Sequence, residues 1–295
     1  MDIHSLNAFI TVAELHSFSL AAERLHLTQP AVSKRIAGLE HELGIALFDR
    51  SGRAPRLTEA GATLLPRARS IMRELQLAQQ EVRDLADTVS GTLRLATSHH
   101  VGLHHLPPVL RSFADRYPAV RLQIAFTDSE KGYEAVQRGD IELAIITLAP
   151  QQPPPLRARL LWRDPLCFVT ARSHPLAEAA RAGSRPTLRQ LSSYANLMPG
   201  LDTYTGQIIR QLFDQHDLPL DTLMTSNYLE TIKMMVNVGL GWSVLPETLV
   251  DDGLQALPVD TAPLVRHLGF ITHHKRPMSN AAKAFIDLLL APARP

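Results

Sequence analysis

The sequence predicts an α+β protein of several domains, and three observations support this fold class. The chain has 295 residues, which is long for a single domain. Near its start, two short helical stretches precede a helix of about 30 residues that carries a regular apolar seam. Beyond residue 90, short apolar runs alternate with helical stretches, which is the order typical of α/β units. We therefore expect three parts, over residues 1–58, 59–89 and 90–295.

Residues 18–43 have the pattern of two helices joined by a tight break at His26 and Leu27. A preceding helix over residues 4–16 would pack against them and complete a small core. The apolar inner side of the first helix of the pair consists of Leu20, Ala21, Ala22 and Leu25. Thr28 or Gln29 can cap the second helix, and Pro30 falls in its first turn, where no backbone N–H is needed. The apolar stripe of this second helix consists of Val32, Ile36, Leu39 and Leu43.

Polar side chains occupy the opposite face of the second helix, namely Gln29, Ser33, Lys34 and Arg35. These residue types hydrogen-bond base edges and phosphates in a major groove, so the pattern is that of a helix-turn-helix. After Gly44, residues 46–50 and 56–58 are predicted to form two short strands, which make a wing. Its arginines, Arg50, Arg53 and Arg56, can lie on phosphates or enter a minor groove. Residues 1–58 carry as many acidic as basic side chains, so DNA affinity must depend on where the charges lie.

A long helix is predicted from Thr58, with Pro66 near its start. Apolar residues then recur in steps of four and three, which is coiled-coil spacing, at Leu64, Ala68, Ile71, Leu75, Ala78, Val82, Leu85 and Val89. A small winged domain cannot cover a seam of this length. We therefore expect the helix to pair with that of a second copy, an arrangement that also suits two half-sites on DNA.

The third part begins with strands over 93–97, 120–126 and 141–148, separated by helices over 101–116 and 131–138. This β-α-β-α-β order predicts a parallel sheet with helices on its faces. Further strands are predicted over 156–162, 166–171, 241–246 and 266–272, and further helices over 187–192, 205–216, 228–238 and 280–290. Residues 172–186 are predicted to form a loop.

Cysteine content and the N-terminus bear on the compartment and on catalysis. Cys167 is the only cysteine, which excludes an internal disulfide and suits a reducing compartment. The N-terminus lacks the basic start of a signal peptide, and no apolar run is long enough to span a membrane. We therefore expect a cytoplasmic protein without membrane contacts. The common nucleophile-elbow, dinucleotide, metalloprotease and phosphate-loop patterns are absent from the sequence, so we expect no enzyme activity.

The stretch from Leu6 to Arg50 resembles the winged helix-turn-helix signature of LysR-type transcriptional regulators. The matching motifs are SFS at residues 17–19, AA at 21–22, QPAVS at 29–33, LE at 39–40, LG at 43–44, LF at 47–48 and LTEAG at 57–61. The remainder resembles, more loosely, the effector domain of this family, which is similar to type 2 periplasmic binding proteins. The resemblance implies two α/β lobes, about 90–162 with 266–295, and 163–265, joined by two hinge strands.

The resemblance also implies a function. Regulators of this family bind promoter DNA as dimers of dimers, and a small effector in the cleft between the lobes changes transcription. It implies that DNA is read by Gln29, Ala31, Ser33 and Lys34. It also implies that the protein needs no cofactor other than the effector and that it associates with itself as a homodimer or homotetramer. RNA polymerase is a further candidate partner. A secreted solute-binding protein is the competing class, and the winged domain and the missing signal peptide argue against it.

Candidate effector contacts follow from the predicted sheet. Thr97, Ser98, His99 and His100 stand where a parallel strand ends and a helix starts, which is the usual ligand position in α/β sheets. The resemblance adds Thr147, Thr203 and Asn227. Helix N–H groups, and histidines when protonated, favour an anionic effector at this position.

The histidine cluster suggests a metal-responsive regulator as an alternative. His99, His100, His104 and His105 form the pattern HHxxxHH, in which His100 and His104 share one helix face. His273 and His274 form a second pair. No carboxylate or thiol lies nearby in the sequence, so the sequence by itself predicts no metal site.

Overall fold

The structure is a computed structural model that describes residues 1–49, 51–52, 54–84 and 88–291. The chain divides into two compact units, Met1–Ala86 and Asp87–Pro295. In the part of the chain that the structure describes, no helix is long and apolar enough to cross a membrane.

The first unit contains three helices, a two-stranded wing and a long helix. Its elements are α1 (Ile3–Leu15), α2 (Phe18–Leu25), α3 (Gln29–Leu43), β1 (Phe48–Asp49), β2 (Arg56–Leu57) and α4 (Glu59–Asp84). Side chains cap the first two helices, because Asp2 accepts from the Ser5 amide and Ser17 from the Leu20 amide. Gly44 ends α3 with a φ of 69°, a left-handed conformation that favours glycine.

The core of this unit confirms most of the predicted apolar stripe. Val32, Ile36 and Leu39 are buried against α1. Two positions were predicted wrongly, since Leu43 is 42% exposed and Leu20 is 50% exposed. Both lie near a helix end, at the edge of the small core, where the three-helix packing no longer covers the stripe.

The long helix α4 leaves much of its seam uncovered in the single chain. Ala68 is buried against the unit's core, whereas Ile71 is 41% and Val82 is 69% exposed. Leu85 lies outside the described residues. The predicted helix does not extend to Val89, which lies outside any helix and packs on a core of the second unit.

The second unit is built on one mixed sheet. The elements up to the middle of the unit are β3 (Gly91–Thr97), α5 (His99–His104), α6 (Pro107–Arg116), β4 (Val120–Phe126), α7 (Ser129–Arg138), β5 (Leu143–Thr147), β6 (Leu156–Ala171), α8 (Pro175–Arg181) and α9 (Leu188–Ser192). The later elements are β7 (Asn196–Met198), α10 (Tyr204–Asp214), β8 (Thr222–Thr225), α11 (Leu229–Asn237), β9 (Trp242–Pro246), a 3-10 turn (Glu247–Leu249), β10 (Leu254–Leu257), β11 (Leu264–His273) and α12 (Asn280–Leu290).

Two long antiparallel strands, β6 and β11, run through the middle of this sheet. The strand order is β4-β3-β5-β11-β6-β9-β7-β8, and β10 pairs with β6. The predicted parallel pairing of the first three strands is confirmed, with β3 between β4 and β5. We call β3–β5 with α5–α7 and α12 the first lobe, and β7–β10 with α8–α11 the second lobe. Each lobe has its own apolar cores.

Several predicted elements of this unit were wrong. Residues 101–116 form two helices because Pro107 and Pro108 cannot continue the first one. Residues 156–171 form one strand, since β11 pairs with it from Leu156 to Leu166 and so spans the gap between the two predicted strands. The predicted loop over 172–186 contains α8. The strands β7, β8 and β10 were not predicted, and each has only three or four residues.

Candidate DNA-reading face and effector cavity

The candidate DNA-reading side chains lie together on the first turns of α3. Gln29 and Lys34 are exposed, while Ala31, Ser33 and Arg35 are half-buried. The Gln29 amide nitrogen donates to the Ser33 hydroxyl at 3.4 Å. The start of a recognition helix is the part that usually meets base edges. This face is therefore suited to read bases, as the sequence predicts.

The start of the wing is fixed to α3 by a carboxylate and to α4 by close packing. Glu40 accepts from the backbone amides of Leu47 at 2.8 Å and Phe48 at 3.1 Å. Gly61 packs so closely that a Cβ there would lie 2.2 Å from the Leu47 carbonyl oxygen. Arg56 is exposed on β2, while the predicted contacts Arg50 and Arg53 lie outside the described residues. The start of the wing thus has a fixed position relative to the reading helix.

The second unit contains a cavity of about 190 Å³ between its lobes. Six of the seven predicted effector residues line it, namely Ser98, His99, His100, Thr147, Thr203 and Asn227. Thr97 does not. Its side chain is fully buried, and its hydroxyl donates to the Ile145 carbonyl at 2.9 Å, so its role is to join two strands.

The predicted polar residues of the cavity differ in how far the fold already uses them. The Thr203 hydroxyl donates to the Gly200 carbonyl at 2.7 Å and caps α10. Asn227 donates to Asp128 of the first lobe at 3.2 Å, and thereby bridges the lobes. The Ser98 hydroxyl makes no cap at the start of α5, although Ser98 occupies the capping position. Ser98 is therefore better placed than Thr203 or Asn227 to bind a ligand.

Sequence reasoning missed Arg266, a buried arginine that lines the cavity. Its Nε donates to Asp164 at 2.5 Å, and the two residues are direct cross-strand partners on β11 and β6. One guanidinium nitrogen, Nη2, is buried without a hydrogen-bond partner among the described residues. Burial lowers the pKa of Arg266, and the Asp164 carboxylate opposes that shift. The cavity therefore contains a buried cation with an unused donor.

Two carboxylates also line the cavity, and both are engaged. Glu130 accepts from the Tyr204 amide at 2.7 Å, at the start of α10 in the other lobe. Asp128 pairs with Lys131 at 3.1 Å. Carboxylates satisfied in this way oppose a bound anion less than free ones would.

Of the four clustered histidines, His99 and His100 line the cavity. Carboxylates that are distant in the sequence lie close to the cluster. His104 Nε2 lies 2.8 Å from Glu230 on α11, and His100 Nδ1 lies 3.8 Å from the same oxygen. Burial lowers the pKa of His100. It also lowers the pKa of His105, which is less deeply buried. The adjacent imidazoles, His100 foremost, lower the pKa of Glu230 to about 2. His105 packs on the Trp162 ring at 4.7 Å.

Two family models match the chain. The model described as "Bacterial regulatory helix-turn-helix protein, lysR family" matches residues 3–62. The model described as "LysR substrate binding domain" matches residues 86–294, which is more than half of the chain. The chain belongs to the LysR family. This LysR-type regulator thus has the DNA-binding helix-turn-helix and the effector-binding domain that the sequence predicts.

Relatives agree with this assignment. An uncharacterized regulator of Azotobacter vinelandii is 64% identical over 108 residues, which are 37% of this chain and 75% of the relative. The transcriptional activator CmpR of Synechocystis is 29% identical over 98% of this chain and 95% of its own.

Solved structures show the same fold. Full-length CbnR, complexed with its target DNA, has a TM-score of 0.70 at 20% identity and covers 98% of this chain and 99% of its own. The regulatory domain of CcmR from Synechocystis, in complex with 2-PG, has a TM-score of 0.61 at 26% identity, over 68% of this chain and 97% of its own.

Proposed function

We propose that this LysR-type regulator binds a small anion in the cavity between its lobes, and that the bound anion changes how the protein acts on promoter DNA. The observation that carries this proposal is the buried guanidinium of Arg266 with its unused Nη2 donor. A buried polar group without a partner is costly, and an anionic ligand would satisfy it.

Three further features support an anion. The helices α7, α10 and α11 each begin with a residue that lines the cavity, and helix N-termini favour negative charge. Ser98 offers a hydroxyl that caps nothing. The related CcmR regulatory domain binds 2-PG, which extends to this chain as a proposal about the class of ligand.

The remaining parts of the proposal concern assembly and mode of action. The exposed seam of α4, at Ile71 and Val82, would be covered by the same helix of a second copy, which gives a dimer and, by pairing of dimers, a tetramer. We place the regulator in the bacterial cytoplasm, with its DNA, and propose that it acts by binding and not by catalysis.

Anion binding can be tested without breaking the buried ion pair. The variant Arg266→Lys keeps a positive charge for Asp164, so it should fold, but it replaces the guanidinium and its free Nη2 donor by a single ammonium nitrogen. We expect isothermal titration with a panel of phosphorylated and carboxylated small acids to find a ligand for the wild type. The affinity of Arg266→Lys for that ligand should be lower by about 10- to 100-fold.

The matched control is Arg163→Lys, at an exposed arginine beside Asp164 in the sequence. It should bind the anion as the wild type does. In a gel-shift titration, the anion should change the DNA affinity of the wild type and of this control, and leave Arg266→Lys unchanged. An anion that binds all three proteins equally would contradict the proposed role of Arg266.

A further inference from the structure

The fold brings a carboxylate from the second lobe against two histidines of the first lobe. His100 and His104 lie on α5, one helical turn apart, and their ring centroids are 4.7 Å apart. Glu230 lies in the first turn of α11. The ligand atoms of these three side chains all lie within 4.8 Å of one another. The sequence could not show this cluster, because its carboxylate is 126 residues from His104.

We propose that His100, His104 and Glu230 form a binding site for a divalent transition metal ion, with Zn²⁺ the best match. Two imidazoles and one carboxylate are a ligand set that zinc uses when a fourth position stays open. Ligand atoms around a tetrahedral zinc ion lie about 3.3 Å apart, as follows from its bond lengths. The observed separations of Glu230 Oε1 from His104 Nε2 and from His100 Nδ1, 2.8 and 3.8 Å, lie on either side of this value.

An independent observation supports a missing ligand at His100. Its side chain is only 3% exposed, yet neither ring nitrogen has a hydrogen-bond partner among the residues that the structure describes. Buried polar groups are almost always paired. A metal ion at Nδ1 would supply the partner on one side of the ring.

Asp164 supports the other side of the same ring. His100 Nε2 lies 3.8 Å from Asp164 Oδ2, so a small movement would let the ring donate to the carboxylate. Histidine ligands of metals commonly donate a hydrogen bond from the N–H of their second ring nitrogen to a carboxylate in this way.

In a second three-residue group, His100 with His105 and Asp164, the ligand atoms also lie within 4.8 Å of one another. We favour the Glu230 group, because the Arg266 guanidinium already occupies Asp164 and would repel a metal ion there.

The site joins the two lobes. His100 and His104 belong to the first lobe and Glu230 to the second, so a bound ion would hold the lobes in this arrangement. His104 and Glu230 are about one-third exposed, which leaves a path for the ion. This inference does not depend on the anion proposal, since that proposal rests on Arg266 and Ser98, and neither residue is a ligand of the proposed metal ion.

The test is isothermal titration of the metal-free full chain with Zn²⁺, without DNA or anions. We expect one ion per chain for the wild type. His104→Ala and Glu230→Gln, both at partly exposed positions, should fold and bind Zn²⁺ about 100-fold more weakly. The control His273→Ala/His274→Ala removes the adjacent histidine pair that lies outside the cluster and should bind Zn²⁺ as the wild type does.

A second measurement tests the coordination itself. Co²⁺ should give visible absorption bands in the wild type and in the control, and Zn²⁺ should abolish them. The Glu230→Gln variant should lack these bands. Absence of binding to the wild type would overturn the proposal, and so would Zn²⁺ affinities that His104→Ala and Glu230→Gln leave unchanged, because exposed histidines elsewhere would then account for the heat.

Discussion

The DNA-reading face and the effector cavity differ in how far apart their residues lie in the sequence. The candidate reading residues of α3 all lie between Gln29 and Arg35. The cavity takes residues from seven separate segments, between Ser98 and Arg266. A local face depends on one helix and its attachment, whereas the cavity depends on the register of a whole sheet. Substitutions should therefore affect DNA reading and effector binding by different routes.

The largest expected effect is on the cavity, from Arg266→Met. The Asp164 side chain is 2% exposed, so it would be left buried without its partner. We expect a loss of about 3–5 kcal/mol in the free energy of unfolding, measured by denaturant titration. The loss reflects an uncompensated buried charge more than the value of the ion pair itself.

The double variant Asp164→Leu/Arg266→Met separates stability from binding. With both charges gone, the free energy of unfolding should return close to that of the wild type, but anion binding should not return. If the single and double variants have the same free energy of unfolding, the unpaired charge of Asp164 is not what destabilises the single variant.

The reading face should instead be vulnerable at the attachment of its wing. A Cβ at position 61 would meet the Leu47 carbonyl oxygen at 2.2 Å, so Gly61→Ala should lower the free energy of unfolding by about 1–3 kcal/mol. Gly38→Ala is the matched control, because no atom lies within 4 Å of the added Cβ and alanine favours a helix. Thermal unfolding that shifts alike in both variants would contradict this explanation.

The same difference explains how much could be predicted from the sequence. The reading face was predictable because one helical period gives both the buried stripe and the polar face, as Val32 and Lys34 illustrate. The pattern failed at Leu20 and Leu43, since a period does not say where a small core ends.

In the second unit, strand ends indicated Ser98 and His100, but no local pattern indicated Arg266 or Glu230. Arg266 has a role only because β11 pairs in register with β6, which places it opposite Asp164. Glu230 reaches the histidines only through the arrangement of the lobes. Thr97 was also predicted to be a ligand residue, although its hydroxyl donates to the Ile145 carbonyl of the adjacent strand.

Base reading can be separated from general DNA affinity on the reading face. Gln29→Ala should weaken binding to the specific site by about 1–3 kcal/mol and leave binding to random DNA nearly unchanged. Arg56→Ala, on the wing, should weaken both and reduce the salt dependence by about one counterion. Gel-shift titrations at several salt concentrations measure both effects. If Gln29→Ala weakens both DNAs alike, this side chain contacts the backbone and not the bases.

The smallest expected effect concerns the reactivity of the Cys167 thiol. Measuring it tests whether the second unit can sense a signal by any route other than its cavity. Burial, followed by the nearby Glu247 charge, raises the pKa of this thiol to about 11. The folded state therefore favours the protonated thiol, and at pH 8 the thiolate fraction should be about 100-fold lower than in an unfolded chain. We expect iodoacetamide to modify the native protein at pH 8 far more slowly than the protein in guanidinium, with glutathione as the reference thiol. Equal rates would show a reactive thiol on β6 and so a second route, independent of the cavity, by which this unit could sense a signal.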